Sequence, residues 1–367
     1  MSAYELTDGT RVLLTGATGF IGRRLTQALL EMGCDVVALV LPDEVDARGV
    51  CRCLPQGVRA VVGDVTNGSP STDGEPRVNS GILRALEAAQ PRVVFHLAAV
   101  GTADTGLPMA EACRVNVGGM IALLEGIRRS ETVQRVVVIG TSYEYGARRA
   151  DDGLDPFNPY SASKVAAWAF ARAAYNAWGL PVVSVRPFQV YGPGQRRAAL
   201  VPAAIAAALQ GQDFQMTQGE QQRDFVYVDD VVRGLLAAVQ APDMEGRVVD
   251  LGSGLLHRII DVVERIWELA PTTRRAASAG RIVAGALPYR PGEVFAIPAD
   301  VERTYDLTGW RARVSLDEGL RMTLRSYQMS RDPDPSGRWA CGNQSDEGGM
   351  KSIEMTPRVR EQDASAD

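Results

Sequence analysis

The most constraining feature of this chain is Gly16-Ala17-Thr18-Gly19-Phe20-Ile21-Gly22, which lies between the apolar run Arg11–Thr15 and a helical pattern starting at Ile21. In that position Gly16 permits a tight turn and Gly19 lets the backbone approach a pyrophosphate. Gly22 lets the helix pack close to the strand, whose exit aims the helix N-terminus at phosphates. The spacing is GxxGxxG rather than GxGxxG, and glycines alone would fit a structural turn. Their place between a strand and a helix is what favours a dinucleotide.

The same rhythm continues beyond the turn. Short, nearly continuous apolar runs at Arg11–Thr15, Asp35–Leu41, Arg59–Gly63, Arg92–Ala98, Arg135–Ile139 and Val182–Arg186 read as strands covered on both faces. Helical patterns at Ile21–Met32, Ile82–Ala89, Met109–Arg129 and Tyr160–Trp178 alternate with them. Such βαβα order predicts an α/β chain with a Rossmann-type doubly wound parallel sheet. After residue 187 the rhythm loosens into helices at Leu200–Gln210, Asp229–Gln240, Ile259–Leu269 and near Leu316–Tyr327, with a strand at Val248–Leu251. The expected division is an N-terminal extension (1–10), a dinucleotide-binding domain (11–186) and a smaller mixed α/β substrate lobe (187–328), from which later segments can return to the first domain. Residues 329–367, rich in Gly, Ser, Asp, Glu and Arg, are expected to form a disordered tail. Thr66–Ser80 reads as a mobile surface loop.

Composition narrows the chemistry. Of 367 residues only His96 and His257 are histidine, which argues against a zinc hydrolase and a Ser-His-Asp triad. Cys51 and Cys53 have no second pair to complete a metal site, so the five cysteines are expected to be reduced thiols and no metal is expected. A net charge of −5 gives no basic field for nucleic acid. No apolar run reaches the ~20 residues of a membrane span, and the start lacks a signal-peptide pattern. A cytoplasmic protein without nucleic-acid or membrane partners is the expectation.

Tyr160-Ser161-Ala162-Ser163-Lys164 opens a helix, with Asn158 suited to its N-cap and Pro159 to its first position. Spacing of four puts Tyr160 and Lys164 on one face, where an ammonium and a bound nicotinamide cation would lower the phenol pKa for proton exchange. Alone, the pair would fit the surface of any amphipathic helix. Here the strand Arg135–Ile139 runs into Gly140-Thr141-Ser142-Tyr143-Glu144-Tyr145-Gly146, placing Thr141 at the sheet edge where ligands gather.

With these motifs in this order, residues 11–328 resemble the extended short-chain dehydrogenase/reductase superfamily, and more narrowly its nucleotide-sugar epimerase/dehydratase/reductase branch. The resemblance implies a catalytic set of Thr141, Tyr160 and Lys164. It implies a cofactor site of Gly16, Thr18, Gly19, Phe20, Ile21, Gly22, Asp64, Val65, Leu97, Ala98, Ala99, Asn116, Tyr160, Lys164 and Pro187. His96 takes a packing role beside it. The substrate, a nucleotide-diphosphate sugar, would meet Ser142, Tyr143, Gln189, Arg223 and Arg290, the two arginines gripping the diphosphate. Gln189 stands where most of the branch has Asn, which leaves the sugar open.

The cofactor is NAD or NADP: the strand tip Val40-Leu41-Pro42 has no acid, Asp43 and Glu44 come slightly later, and Arg23, Arg48 and Arg52 lie near, so the pattern leans to NADP(H), as a reductase would use. Dehydratases of the branch follow the Thr with an acidic pair ending in Glu; here Ser142 and Tyr143 stand there and Glu144 comes one residue late. The local string is similar to 4-ketoreductases of nucleotide-linked 4-keto-6-deoxysugars. The expected reaction is that reduction at C4, with Tyr160 as proton donor. A 4-epimerase is the close alternative, and a dehydratase or a non-catalytic regulator comes after both. The helices Met109–Arg129 and Tyr160–Trp178 carry apolar residues on more than one face (Leu123, Leu124, Ile127, Trp168, Phe170, Trp178), which by the resemblance implies a homodimer.

Overall fold

The structure, a computed structural model, describes residues 4–47, 50–66, 80–101, 106–147, 153–270, 280–290 and 292–329. Most of the expected loop at 66–80, nearly all of the expected tail, and Arg48 lie outside these residues.

The first half alternates as its sequence predicts: β1 (Arg11–Thr15), α1 (Phe20–Glu31), β2 (Asp35–Val40), β3 (Arg59–Val62), α2 (Ser80–Ala89) and β4 (Val93–His96). A helical run follows, α3 (Met109–Ala112), a π-helical turn at Cys113–Val117, and α4 (Gly118–Arg128). Then come β5 (Arg135–Ile139), α5 (Pro159–Trp178) and β6 (Val182–Pro187). The second half contains β7 (Gln189–Tyr191), α6 (Leu200–Gln210), β8 (Phe214–Met216), β9 (Gln222–Tyr227), α7 (Val228–Gln240), β10 (Val248–Leu251), β11 (Leu256–Arg258), α8 (Ile259–Leu269), β12 (Ile282–Ala284), α9 (Val301–Thr308) and α10 (Leu316–Met329).

Seven strands form one sheet in the order β10-β6-β5-β4-β1-β2-β3, every pair parallel. Their apolar runs are explained by two cores, because successive side chains leave opposite faces of a strand. Val12 and Leu14 of β1, Val36 and Ala38 of β2 and Val183 and Val185 of β6 join Leu25 and Leu29 of α1 and Leu235 and Val239 of α7. Leu13, Val37, Val136 and Val138 point the other way, onto Ile82 and Leu86 of α2, Leu123 and Ile127 of α4 and Ala171 of α5. Chain order reverses at β1, with β2 on one side and β4 on the other. In such sheets the carboxyl ends of the strands at this reversal are the usual ligand position.

The smaller lobe has a three-stranded sheet, β11-β9-β7, and the pair β12-β8. Tyr191, Phe225 and Tyr227 pack there with Ile205, Val263 and Leu320. The second half does not stay apart: α7 covers the large sheet and β10 extends it beside β6. Nor is the N-terminal stretch a free extension, since Leu6 is buried in the first core and the Asp35 N–H donates to the Thr10 carbonyl. No helix among the described residues is long and apolar enough to cross a membrane.

Candidate active site

The glycine turn sits at this reversal, at the carboxyl end of β1. Gly16 has φ +73, and a Cβ added at Gly22 would run into the Gly16 carbonyl oxygen and stand 2.9 Å from the Ala17 Cα. Helix α1 therefore begins hard against the turn. Its N-cap, Gly19, offers no side-chain cap, and its first turn carries no acid. Uncapped N–H groups at a positive helix end beside an exposed glycine form an anion site, so these residues fit a dinucleotide pyrophosphate.

Asp64 and Val65 follow β3, and the Asp64 carboxylate accepts the Thr66 N–H at 2.8 Å. Leu97, Ala98 and Ala99 follow β4, while His96 inside that strand lies 2.8 Å from the Thr15 hydroxyl through Nδ1. Burial above all, and next the Lys164 charge, pull the His96 pKa down to about 3, which leaves it a neutral packing group.

Helix α5 starts as expected: Asn158 caps it by accepting the Ser161 N–H at 2.8 Å, and Pro159 follows. Tyr160 is half-buried in its first turn. One turn on, the Lys164 ammonium is buried, donates to the Ile139 carbonyl at 3.0 Å and lies 5.9 Å from the Tyr160 ring centre. Burial lowers the Lys164 pKa to about 8 against the raising influence of Glu144. Burial raises the Tyr160 pKa well above the ordinary phenol value, Glu144 adds to that, and a hydrogen bond with Thr141 opposes it.

Asn116 supports this arrangement from the π-helical turn, a local widening common at functional sites. Its side-chain oxygen accepts the Val100 N–H at 2.8 Å; its nitrogen donates to the Val100 carbonyl at 3.0 Å and to the Ser163 hydroxyl at 2.8 Å. The asparagine thus ties the segment after β4 to the helix that carries Tyr160 and Lys164, rather than offering its amide to a ligand.

Thr141 lies two residues past β5 and caps the 3-10 turn Ser142–Tyr145. Its hydroxyl accepts the Tyr143 N–H at 3.3 Å, and its own N–H donates to Glu144 at 2.9 Å. Ser142, Tyr143, Gln189 and Arg223 line one cleft with Phe188, Gln222, Asp224, Val294 and Ile297. Arg223 is ion-paired with Glu293 and donates to the Val294 and Gln222 carbonyls. Arg290, the other arginine expected at the diphosphate, is exposed and does not line that cleft.

A family model described as the NAD dependent epimerase/dehydratase family matches residues 12–252. The chain belongs to that family. It is 30% identical to a probable dTDP-glucose 4,6-dehydratase of Sinorhizobium fredii, over 86% of this chain and 92% of the relative. Among solved structures it is similar to MoeE5 in complex with UDP-glucose and NAD (31% identity, TM-score 0.70, 88% and 99% of the two chains). It is also similar to the UDP-glucose 4-epimerase of Thermus thermophilus with NAD (27% identity, TM-score 0.72, 88% and 100% of the two chains). As a member of this epimerase/dehydratase family, the chain is an enzyme with an NAD(P) site, and the strand-turn-helix at residues 11–31 is where its fold offers one.

Two carboxylates beside the site escape a reading by motif. Glu44 lies past the strand tip, yet a 3-10 turn at Pro42–Glu44 folds it back. It accepts the Leu41 N–H at 2.8 Å and the Thr18 hydroxyl at 2.5 Å, so an acid stands between the end of β2 and the glycine turn after all. The lean to NADP(H) rested on a strand tip without an acid and on the nearby Arg23, Arg48 and Arg52. Glu144 is fully buried and pairs with the buried Arg186 at 2.7 Å. The spacing Thr141-x-x-Glu144 is a capping-box signature, the one signal that could have found it.

Proposed function

We propose that this enzyme is an NAD-dependent oxidoreductase of nucleotide-diphosphate sugars that inverts C4 and keeps its cofactor, a 4-epimerase. The observation that carries this reading is the set of groups around Tyr160. Thr141 and Ser142 offer hydroxyls, Tyr143 a phenol, and the carboxylate of that turn, Glu144, is buried against Arg186. Eliminating water needs a further acid and base, and among the described residues the turn after β5 offers neither.

NAD, held at the glycine turn Gly16–Gly22 and by Lys164, would supply the hydride acceptor and donor for C4. Tyr160 takes the C4 hydroxyl proton and gives it back, Thr141 orients the oxygen, and Lys164 holds the cofactor ribose and supports the phenolate. Arg223 carries the diphosphate, and Ser142, Tyr143 and Gln189, which line the same cleft, meet the sugar. Incubation with UDP-linked and dTDP-linked hexoses, without added nicotinamide, is expected to yield the C4 epimer.

The 4-ketoreductase expected from sequence is the second reading, favoured by the likeness of Ile139–Gly146 to such enzymes. Steady loss of NADPH absorbance with a nucleotide-linked 4-keto-6-deoxysugar, without epimerisation of any hexose, would install it in place of the first.

Glu44 supports NAD over NADP: a carboxylate at the ribose edge accepts a 2′-hydroxyl and repels a 2′-phosphate. Glu44→Gln is expected to narrow the NAD/NADP preference by about tenfold, the scale of one charge-assisted hydrogen bond. Titration of both cofactors measures this, and an unchanged ratio would exclude Glu44 from the choice.

A homodimer is proposed through α4 and α5. Leu123, Leu124 and Ile127, which the sequence offers as apolar residues for it, face the sheet core instead. Ile121, Phe170 and Trp178 are the exposed ones. Light scattering at micromolar concentration should give twice the chain mass; a monomer mass removes the proposal.

A further inference from the structure

Glu144 is a charged group that the proposed reaction does not use. Its side chain has no exposed surface, one oxygen accepts the Thr141 N–H at 2.9 Å, and the other accepts Arg186 Nε at 2.7 Å. Arg186 in turn donates to the Tyr145 hydroxyl at 2.9 Å, and Tyr145 donates to Asp250 of β10 at 2.8 Å. The carboxylate therefore sits at the inner end of a buried polar chain and at the base of the turn that presents Thr141. We propose that Glu144 is a positioning residue, a buried countercharge that fixes the Thr141 turn and sets the electrostatic field in which Tyr160 and Lys164 exchange protons. This rests on Tyr160 serving as the acid–base group.

Geometry and charge agree on the direction. Tyr160 faces Thr141 and Tyr143 from the turn and Lys164 from its own helix. Lys164 faces the Ile139 carbonyl from β5, His96 from β4 and Glu144 from the turn. Glu144 faces Arg186 of β6, with Tyr145 and Asp250 beyond it. The negative charge of Glu144 disfavours a phenolate at Tyr160 and favours an ammonium at Lys164. Arg186 lies on the other side of Glu144, so the pair is not equivalent to no charge at Tyr160. Losing the negative charge should make both groups titrate at lower pH, whereas simple damage to the site would lower rates at every pH.

The test compares Glu144→Gln with the double variant Glu144→Gln/Arg186→Gln, in which a buried amide pair replaces the ion pair. Two quantities are read: the pH profile of kcat, and the pH titration of the tyrosinate ultraviolet band, taken as each protein minus its own Tyr160→Phe counterpart. Both variants are expected to shift the acid limb and the Tyr160 titration to lower pH by about half a unit to one unit. Glu144→Asp is expected to fold and to keep the profile near that of the parent. A parent-like profile in the double variant would mean that Glu144 only neutralises Arg186, and would overturn the inference. So would failure of both neutral variants to fold while Glu144→Asp folds. If Tyr160→Phe in the parent keeps full turnover, the acid–base reading itself fails, a result distinct from an unmoved profile in a chain that Tyr160→Phe inactivates.

Discussion

Replacing Tyr160 with phenylalanine is expected to lower turnover by about 10²–10⁴-fold, the usual contribution of a positioned acid–base group, while cofactor binding stays within a few-fold. The ring would remain in the first turn of α5, held by the same cap at Asn158, so the fold loses no packing. What disappears is the phenol that pairs with Thr141 on one side and approaches Lys164 on the other. In the cofactor-free protein burial and Glu144 hold the Tyr160 proton tightly, so release of that proton depends on positive charge from Lys164 and the bound nicotinamide. Steady-state rates and a cofactor titration on the same preparation check this. Turnover that survived the change would remove Tyr160 from the chemistry.

Gly22→Ala is expected to do more damage than its single methyl suggests. The added carbon would overlap the Gly16 carbonyl oxygen, so α1 must retreat from the turn or the turn must open. Either movement pulls the uncapped end of α1 away from the place where its N–H groups meet a pyrophosphate. Overpacking of this kind destabilises by about 1–3 kcal/mol, and NAD affinity should fall by about tenfold or more, equivalent to ~1.4 kcal/mol. Thermal unfolding and cofactor titration read the two effects separately. Parent-like affinity would show that the close approach at Gly22 serves packing alone.

The large sheet was legible because strands buried on both faces write themselves as unbroken apolar runs, and each of the six expected strands of the first half is present within a few residues. The three-residue strands β7, β8, β11 and β12 are too short to carry a period, and α9, opened by the Asp300 cap, has too little apolar character to stand out. The helical pattern at Met109–Arg129 hid the π-helical turn, because a register change of one residue leaves apolar spacing nearly intact.

Among the proposed site residues, Thr141, Tyr160, Lys164 and the glycine turn could be singled out because each stands at a local spacing beside a strand end or a helix start. Glu44 was hidden by a backward fold of three residues. The hold of Glu293 on Arg223 spans seventy positions in sequence and belongs to tertiary structure alone.

The central claim is that C4 is oxidised and reduced again without exchange of the cofactor. It is tested most directly with a nucleotide-linked hexose carrying deuterium at C4, incubated with the purified enzyme and no added nicotinamide. The account predicts a C4 epimer that keeps its deuterium, with no net change in nicotinamide absorbance. An epimer that has lost its deuterium, or formation of a 4-keto-6-deoxy product, would contradict it.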